Sequence, residues 1–371
     1  MGRERLPETP VPVQVDDNGL KQQMFWSRKT GWIGVDIGTC AVKLAQVERR
    51  GQRYFLCNAA VIPREQAIDA SGWIRSMPVS SSNEIREGRA ITGFDGRDSA
   101  CTIPLTVCDV RRIPVADSQD MRRTVGEQLS EIHSVQADNI HFDFWPARDS
   151  GPGKPEYNVL CQADRWTNQV LLDYRKAGLT CRVLDGVPFA MARACSMVEG
   201  FNTGVPYVAL DWGASSATFC AIAGSTPEFV RSLPGHGFDR VQQRIAGELG
   251  IQPVAVRKMA SEFGLACGRN VADEEVCNVV SEVSAPLRNE LLEEIKVTLA
   301  HLQTRLKKIY PVQGIVMGAG ATLKNVDSWL TEELRIPFSV WRIPARSATP
   351  VCGVELYGPA VATSCLAWSR T

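Results

Sequence analysis

The chain has no net charge: 41 lysines and arginines face 41 aspartates and glutamates across 371 residues. Without an excess of either sign there is no bulk field to draw in nucleic acid or an anionic lipid surface, and no nucleic-acid partner is expected. Histidine is scarce, and none of His133, His141, His236 and His301 stands at metal-ligand spacing beside another donor. The twelve cysteines include no Cys-x-x-Cys pair, which excludes zinc-ribbon and thioredoxin-like patterns and fits reduced, mostly buried thiols of a cytosolic protein. Long apolar runs are missing as well. No uncharged stretch approaches the roughly 20 residues of a membrane helix, and Met1 to Pro7 lack the apolar core of a signal peptide. No direct membrane insertion is expected, so work at a membrane requires another chain to hold the protein there.

What the sequence does contain is a near-repeat. Ile33-Gly34-Val35-Asp36-Ile37-Gly38-Thr39 and Val208-Ala209-Leu210-Asp211-Trp212-Gly213-Ala214-Ser215-Ser216 each run an apolar strand into Asp-x-Gly and then small or hydroxylated residues. The aspartates are 211 − 36 = 175 positions apart, a domain-sized interval too long for a solenoid or propeller period. Singly, Asp-x-Gly after an apolar run also marks an ordinary strand end. As a pair, the two turns fit two half-domains gripping one nucleotide. Gly38 and Gly213 allow the tight turn, while Thr39, Ser215 and Ser216 offer hydroxyl and amide donors to phosphate oxygens. Asp36 and Asp211 are the candidate metal residues, holding magnesium through waters because that ion dehydrates reluctantly.

Along the chain, residues 1–24 read as a mobile tail. Strands at Trp32 to Ile37, Val42 to Val47 and Tyr54 to Ala60 form an antiparallel meander, unlike the strand-then-helix order of a Rossmann or Walker unit. A helix is expected from Glu65 to Arg75, an extended stretch from Ala100 to Arg112, and then a β-α-β-β-α-β inset of about 80 residues. The second half repeats the meander at Tyr207 to Asp211, Ala217 to Ala223 and Glu228 to Leu233. Helices follow at Phe238 to Leu249 and Val254 to Phe263. A long amphipathic helix from Pro286 to Ile309 carries Leu287, Leu291, Leu292, Ile295, Leu299, Leu302, Leu306 and Ile309 at core spacing. Gly314 to Ala321 is a buried strand running into a glycine turn, and a helix is expected from Leu323 to Leu334. Such a turn lets a flat ring approach the backbone.

The three motifs in this order, Asp-Ile-Gly-Thr, Asp-Trp-Gly-Ala-Ser-Ser and Met-Gly-Ala-Gly-Ala, resemble the phosphate-one, phosphate-two and adenosine motifs of the actin-like ATPase superfamily. Within it they are most similar to the PilM group of type IV pilus assembly proteins. Phe25 to Lys29 resembles the group's opening. Val110 to Pro114 resembles the start of its small inserted subdomain, and Ala177-Gly178-Leu179 with Val183-Leu184-Asp185 its end. Leu233 to Gly237 resembles the stretch after the second phosphate hairpin. The resemblance implies an α/β fold of actin-like (ribonuclease H-like), two-lobed type with an inserted α+β subdomain. Residues 25–106, 186–206 and 346–371 would form the first lobe, 107–185 the inset, and 207–345 the second lobe, with 238–309 its helical subdomain. The implied cofactors are ATP and Mg2+. Asp36, Gly38, Thr39 and Lys43 would serve phosphate or metal in the first lobe, and Asp211, Gly213, Ala214, Ser215 and Ser216 in the second; Gly318, Ala319 and Gly320 would lie against adenosine. The implied partner is the cytoplasmic tail of a PilN-like bitopic inner-membrane protein, with other pilus platform proteins beside it. The chain would then be cytoplasmic and associated with the inner membrane through that partner.

Some positions depart from the pattern. Cys40 replaces a small hydroxyl residue, Trp212 an aliphatic one, and Val187 a polar or acidic residue that would orient a hydrolytic water. Lys258 and Glu262 stand only near the place of a base-contacting lysine. A nucleotide-binding scaffold with at most slow hydrolysis is therefore expected. The alternatives are a nucleotide-free pseudo-ATPase adaptor and a sugar or metabolite kinase of the same fold, for which no additional strand-end Asp supplies a base.

Overall fold

The computed structural model describes residues 30–69, 76–115, 120–148, 155–267, 273–346 and 353–369. The expected tail at 1–24 and the Phe25 to Lys29 motif lie outside the described residues.

Two five-stranded sheets with one shared plan form the frame. In the first, β1 (Ile33–Ile37) pairs antiparallel with β2 (Ala41–Arg50), which pairs with β3 (Arg53–Pro63), as the alternation predicts. On its other edge β1 runs parallel to β4 (Asp98–Thr102). The second sheet repeats this with β9 (Tyr207–Trp212), β10 (Ser216–Ala223) and β11 (Thr226–Pro234) as the meander. There β12 (Gln313–Met317) lies parallel to β9, and β13 (Phe338–Val340) parallel to β12. In both sheets the strand that ends in Asp-x-Gly is central and buried on both faces, which is why it reads as a continuous apolar run.

The inset divides differently from the expected 107–185. Strands β5 (Asp109–Pro114), β6 (Ile140–Pro146) and β7 (Glu156–Ala163) make a separate three-stranded sheet in the order β5-β7-β6. A helix, Met121–His133, covers it around Val125, Leu129, Val159 and Cys161. The expected element order is present, but β8 (Thr180–Asp185) pairs with β4 in the first sheet. The helix before it, Asp164–Lys176, buries Trp166, Val170 and Tyr174 in the first lobe's core. Element order alone could not tell which sheet an exit strand would join.

Other helices depart at their ends. With α1 (Ser82–Ile91), α2 (Met121–His133), α3 (Asp164–Lys176), α4 (Val187–Ser196), α5 (Phe238–Leu249) and α6 (Pro253–Glu262) in place, the long helix α7 runs Glu274–Arg305. It starts twelve residues before the expected Pro286, because Asp273 caps it by accepting from Val276 N at 3.2 Å and Pro286 lies inside it. Its apolar stripe is core as expected, with Leu291, Leu292, Ile295, Leu299 and Leu302 buried. Residues 65–69 are not helical, and 70–75 of that expected helix lie outside the described residues. A 3-10 turn at Ala319–Thr322 precedes α8 (Val326–Leu334).

The lobes are joined by a core drawn from both sheets. α4 and α9 (Gly358–Ser364) contribute Ala190, Met191, Ala360 and Val361 to a cluster with Ala45 and Val47 of the first sheet and Ala209 and Ile315 of the second. Gly34 permits this approach: a Cβ there would stand 1.8 Å from Ala360 O. Among the described residues, no helix is long and apolar enough to cross a membrane.

Candidate functional site

The two Asp-x-Gly turns meet between the lobes. Gly38, Thr39 and Cys40 link β1 to β2, with Gly38 N donating to Ala41 O at 3.0 Å; Gly213, Ala214 and Ser215 link β9 to β10. Thr39 Oγ1 and Ser215 Oγ lie 2.5 Å apart, a hydrogen bond from one lobe to the other. Around them opens a cleft of about 800 Å³, within the size range of small-molecule sites.

Ten of the twelve expected site residues line this cleft: Asp36, Gly38, Thr39, Lys43, Asp211, Gly213, Ala214, Ser215, Ser216 and Ala319. Gly318 and Gly320 do other work. Gly318 has φ +87°, and a Cβ on it would meet Asp211 Oδ1 at 2.2 Å; one on Gly320 would meet the Trp212 ring at 2.1 Å. These glycines seat the third segment against the back of the second turn, Gly318 against the Asp211 carboxylate and the Trp212 backbone, Gly320 against the Trp212 ring. Trp212 itself is buried, stacked edge-on to Phe238, with Nε1 donating to His236 O at 2.9 Å.

Each turn is braced by a residue that spacing did not reveal. Under the first, Arg64 Nε donates to Gly38 O at 2.9 Å, Nη2 to Ser81 Oγ at 2.6 Å, and its backbone amide to Cys40 O at 2.9 Å. Under the second, the start of α5 holds the turn: Phe238 N donates to Gly213 O at 2.9 Å and Asp239 N to Ala214 O at 3.0 Å. Leu233 to Gly237, the stretch leading there, thus delivers a helix N-terminus to the second Asp-x-Gly turn.

Charge is concentrated at the floor. Asp36 accepts from Lys43 Nζ at 2.9 Å and from Thr102 Oγ1 at 3.0 Å. Burial alone would lower the Lys43 ammonium, but the Asp36 and Asp211 carboxylates outweigh it and hold the group above its ordinary value. Burial pushes the Asp211 carboxyl up to about 6; Lys43 pulls it down and Asp36 pushes it further up. Asp211 Oδ1 has no hydrogen-bond partner among the described residues. A buried, unpaired carboxylate oxygen next to a second carboxylate fits a hard, oxygen-seeking divalent cation such as magnesium.

Further lining comes from the second lobe's helices, and of it only Lys258 was singled out in the sequence. α5 supplies Asp239, Gln242 and Gln243, and α6 supplies Arg257, Lys258 and Ser261. Their spacing of three and four residues puts each set on one helix face, a polar stripe that could have been found. Lys258 does reach the cleft, while Glu262 pairs with it at 3.9 Å. Cys40 faces Asp239 across the cleft, its thiol raised first by burial. Val187 is buried in the lining and presents only methyl groups there.

Two lobes of repeated plan, each giving an Asp-x-Gly turn to one cleft, define the actin-like fold, and the comparisons agree. The chain is similar to a PilM–PilN type IV pilus biogenesis complex structure, with TM-score 0.71 and 20% identity over 92% of this chain and 100% of that one. The ethanolamine utilization protein EutJ from Carboxydothermus hydrogenoformans matches with TM-score 0.54 and 14% identity, covering 91% of this chain and 90% of that one. A MamK double helical filament structure matches with TM-score 0.50 and 13% identity, covering 93% and 100%. No protein-family model matches the chain, and no curated protein matches it. At these identities the likeness fixes the fold: actin-like, in the arrangement of PilM.

Proposed function

We propose that the chain binds ATP with magnesium in this cleft and acts as an actin-like scaffold of a type IV pilus, or related secretion, assembly platform. It is held at the cytoplasmic face of the inner membrane by the cytoplasmic tail of a PilN-like bitopic protein, with other platform proteins as further contacts. Turn hydroxyls from opposite lobes, meeting above a row of carboxylate, ammonium and carboxylate, carry the nucleotide part. The likeness to the PilM–PilN complex supports the partner.

In this proposal the backbone amides and hydroxyls of the two turns donate to phosphate oxygens. Lys43 leaves Asp36 to neutralise phosphate charge, and Asp36 and Asp211 accept from the water shell of the cation. When bound, magnesium supplies positive charge that offsets the phosphates and both carboxylates. The polar faces of α5 and α6 border the rest of the nucleotide. Hydrolysis is slow at most, because Val187 has no polar atom with which to orient an attacking water.

Calorimetric titration with ATP and magnesium tests the site, with Asp36→Ala and Asp211→Ala as controls. Absence of binding by the wild-type chain, or equal binding by both variants, would sink the proposal. For the partner, co-purification with a small bitopic protein should be lost when that protein's cytoplasmic tail is deleted; persistence of the association would refute this mode of docking.

A further inference from the structure

In the inset, far from the cleft in sequence and built on a different sheet, three donors of different chemistry converge. Asp109 opens β5 and Cys161 lies directly opposite it on β7, so their side chains share one face of the sheet. His133, the last residue of α2, comes down on that face. A carboxylate oxygen, the imidazole nitrogen and the thiol sulfur all lie within 4.8 Å of one another, with His133 Nε2 at 3.3 Å from Asp109 Oδ2. No local spacing announces them: 24 residues separate Asp109 from His133 and 28 separate His133 from Cys161 (133 − 109 and 161 − 133).

We propose that Asp109, His133 and Cys161 form a binding site for a borderline transition-metal ion, zinc above all, with water as the fourth ligand. One nitrogen, one sulfur and one oxygen donor select such a cation over magnesium or calcium, which take oxygen alone. Bonds of about 2.0 Å to nitrogen and oxygen and about 2.3 Å to sulfur put tetrahedral donors roughly 3.3–3.8 Å apart, so the present triangle needs only a small contraction. The imidazole side chain is 6% exposed. The end of α2, where helix carbonyls point outward, favours positive charge. Arg111 Nε now contacts Asp109 as well. The metal takes over that carboxylate, and the half-exposed guanidinium turns to solvent. Binding forms three metal–protein bonds and releases the thiol proton to water. A nucleophilic Cys-His-Asp triad is excluded, because Cys161 is 1% exposed and no substrate reaches its sulfur.

The site is independent of the nucleotide proposal and is tested apart from it. The full chain, stripped with a chelator, is titrated with cobalt(II) and then zinc, following absorption and bound metal. One equivalent of cobalt should bind with a thiolate-to-metal charge-transfer band and tetrahedral visible bands, and zinc should displace it. Cys161→Ser should abolish the charge-transfer band, and His133→Ala should weaken binding on the order of a hundredfold. Cys57→Ser, a thiol on β3, should leave both unchanged. If Cys161→Ser fails to fold by circular dichroism, Asp109→Asn decides the matter by the same loss of affinity. No stoichiometric binding, a charge-transfer band that survives Cys161→Ser, or undiminished affinity in Asp109→Asn would each overturn the assignment.

Discussion

Asp211→Asn should stabilise the nucleotide-free protein at alkaline pH while abolishing its response to ATP and magnesium. Burial raises the Asp211 carboxyl from 3.8 to about 6, and its Oδ1 is unpaired among the described residues. The native state therefore holds this proton more tightly than the unfolded chain does, so stability falls as pH rises through the interval between the two values. Above about pH 6 the ionised carboxylate costs about 3 kcal/mol at about 1.4 kcal/mol per pH unit of displacement, and nearer 2 kcal/mol with water in the open cleft screening it. Asparagine keeps the shape and removes the charge. Thermal melts at about pH 8 should show the variant higher by roughly 4 °C, the advantage should halve near pH 5, and it should vanish below about pH 4. With ATP and magnesium added, the wild-type melt should rise and the variant's should stay in place. A variant less stable than wild type at about pH 8, or an advantage that does not change with pH, would refute the account of Asp211 as a charge held at a cost for a ligand.

Lys43→Met should prevent ATP binding, enlarge the Asp211 penalty and raise the pH at which that penalty stops growing, because the ammonium is the group that pulls that carboxyl down in the folded state; pH-dependent melts and calorimetry check both. Arg64→Met should destabilise the chain by about 2 kcal/mol and loosen the first turn, read as a urea midpoint shift together with weaker ATP binding. Gly320→Ala should cost about 1–3 kcal/mol by overpacking Trp212, with Trp fluorescence reporting the displaced ring; unchanged stability and emission would mean the third segment is not seated on Trp212.

How much of this was legible depended on whether the decisive contact was local. Asp36 and Asp211 stand at the ends of apolar strands followed by small residues, so each turn is written within a short run of neighbouring positions, and both turns line the cleft. The meanders were legible for the same reason. Arg64 reads as an ordinary charge after Pro63, and only the fold brings its guanidinium to Gly38 O. Gly318 and Gly320 were identified as special positions, yet what they accommodate is Asp211 and Trp212, which only the pairing of β12 with β9 could bring beside them. β8 and the His133–Asp109–Cys161 triangle likewise depend on which sheet and which helix end come together. The early start of α7 was legible in Asp273-Glu274-Glu275, a capping residue with acidic neighbours, but Pro286 gave the stronger signal.

The close seating of α9 on Gly34 has a consequence for synthesis. Ser364 Oγ donates to Trp32 O at 2.6 Å, a bond between residues 332 positions apart, and accepts from Val47 N at 3.2 Å. β1 and β2 therefore leave the ribosome long before α9, the helix that covers their inner face, and the second lobe's strands β9 to β13 are made in between. Vectorial folding should complete the lobes in the reverse of their written order, leaving β1 and β2 to a chaperone's protection or to provisional partners until α9 arrives.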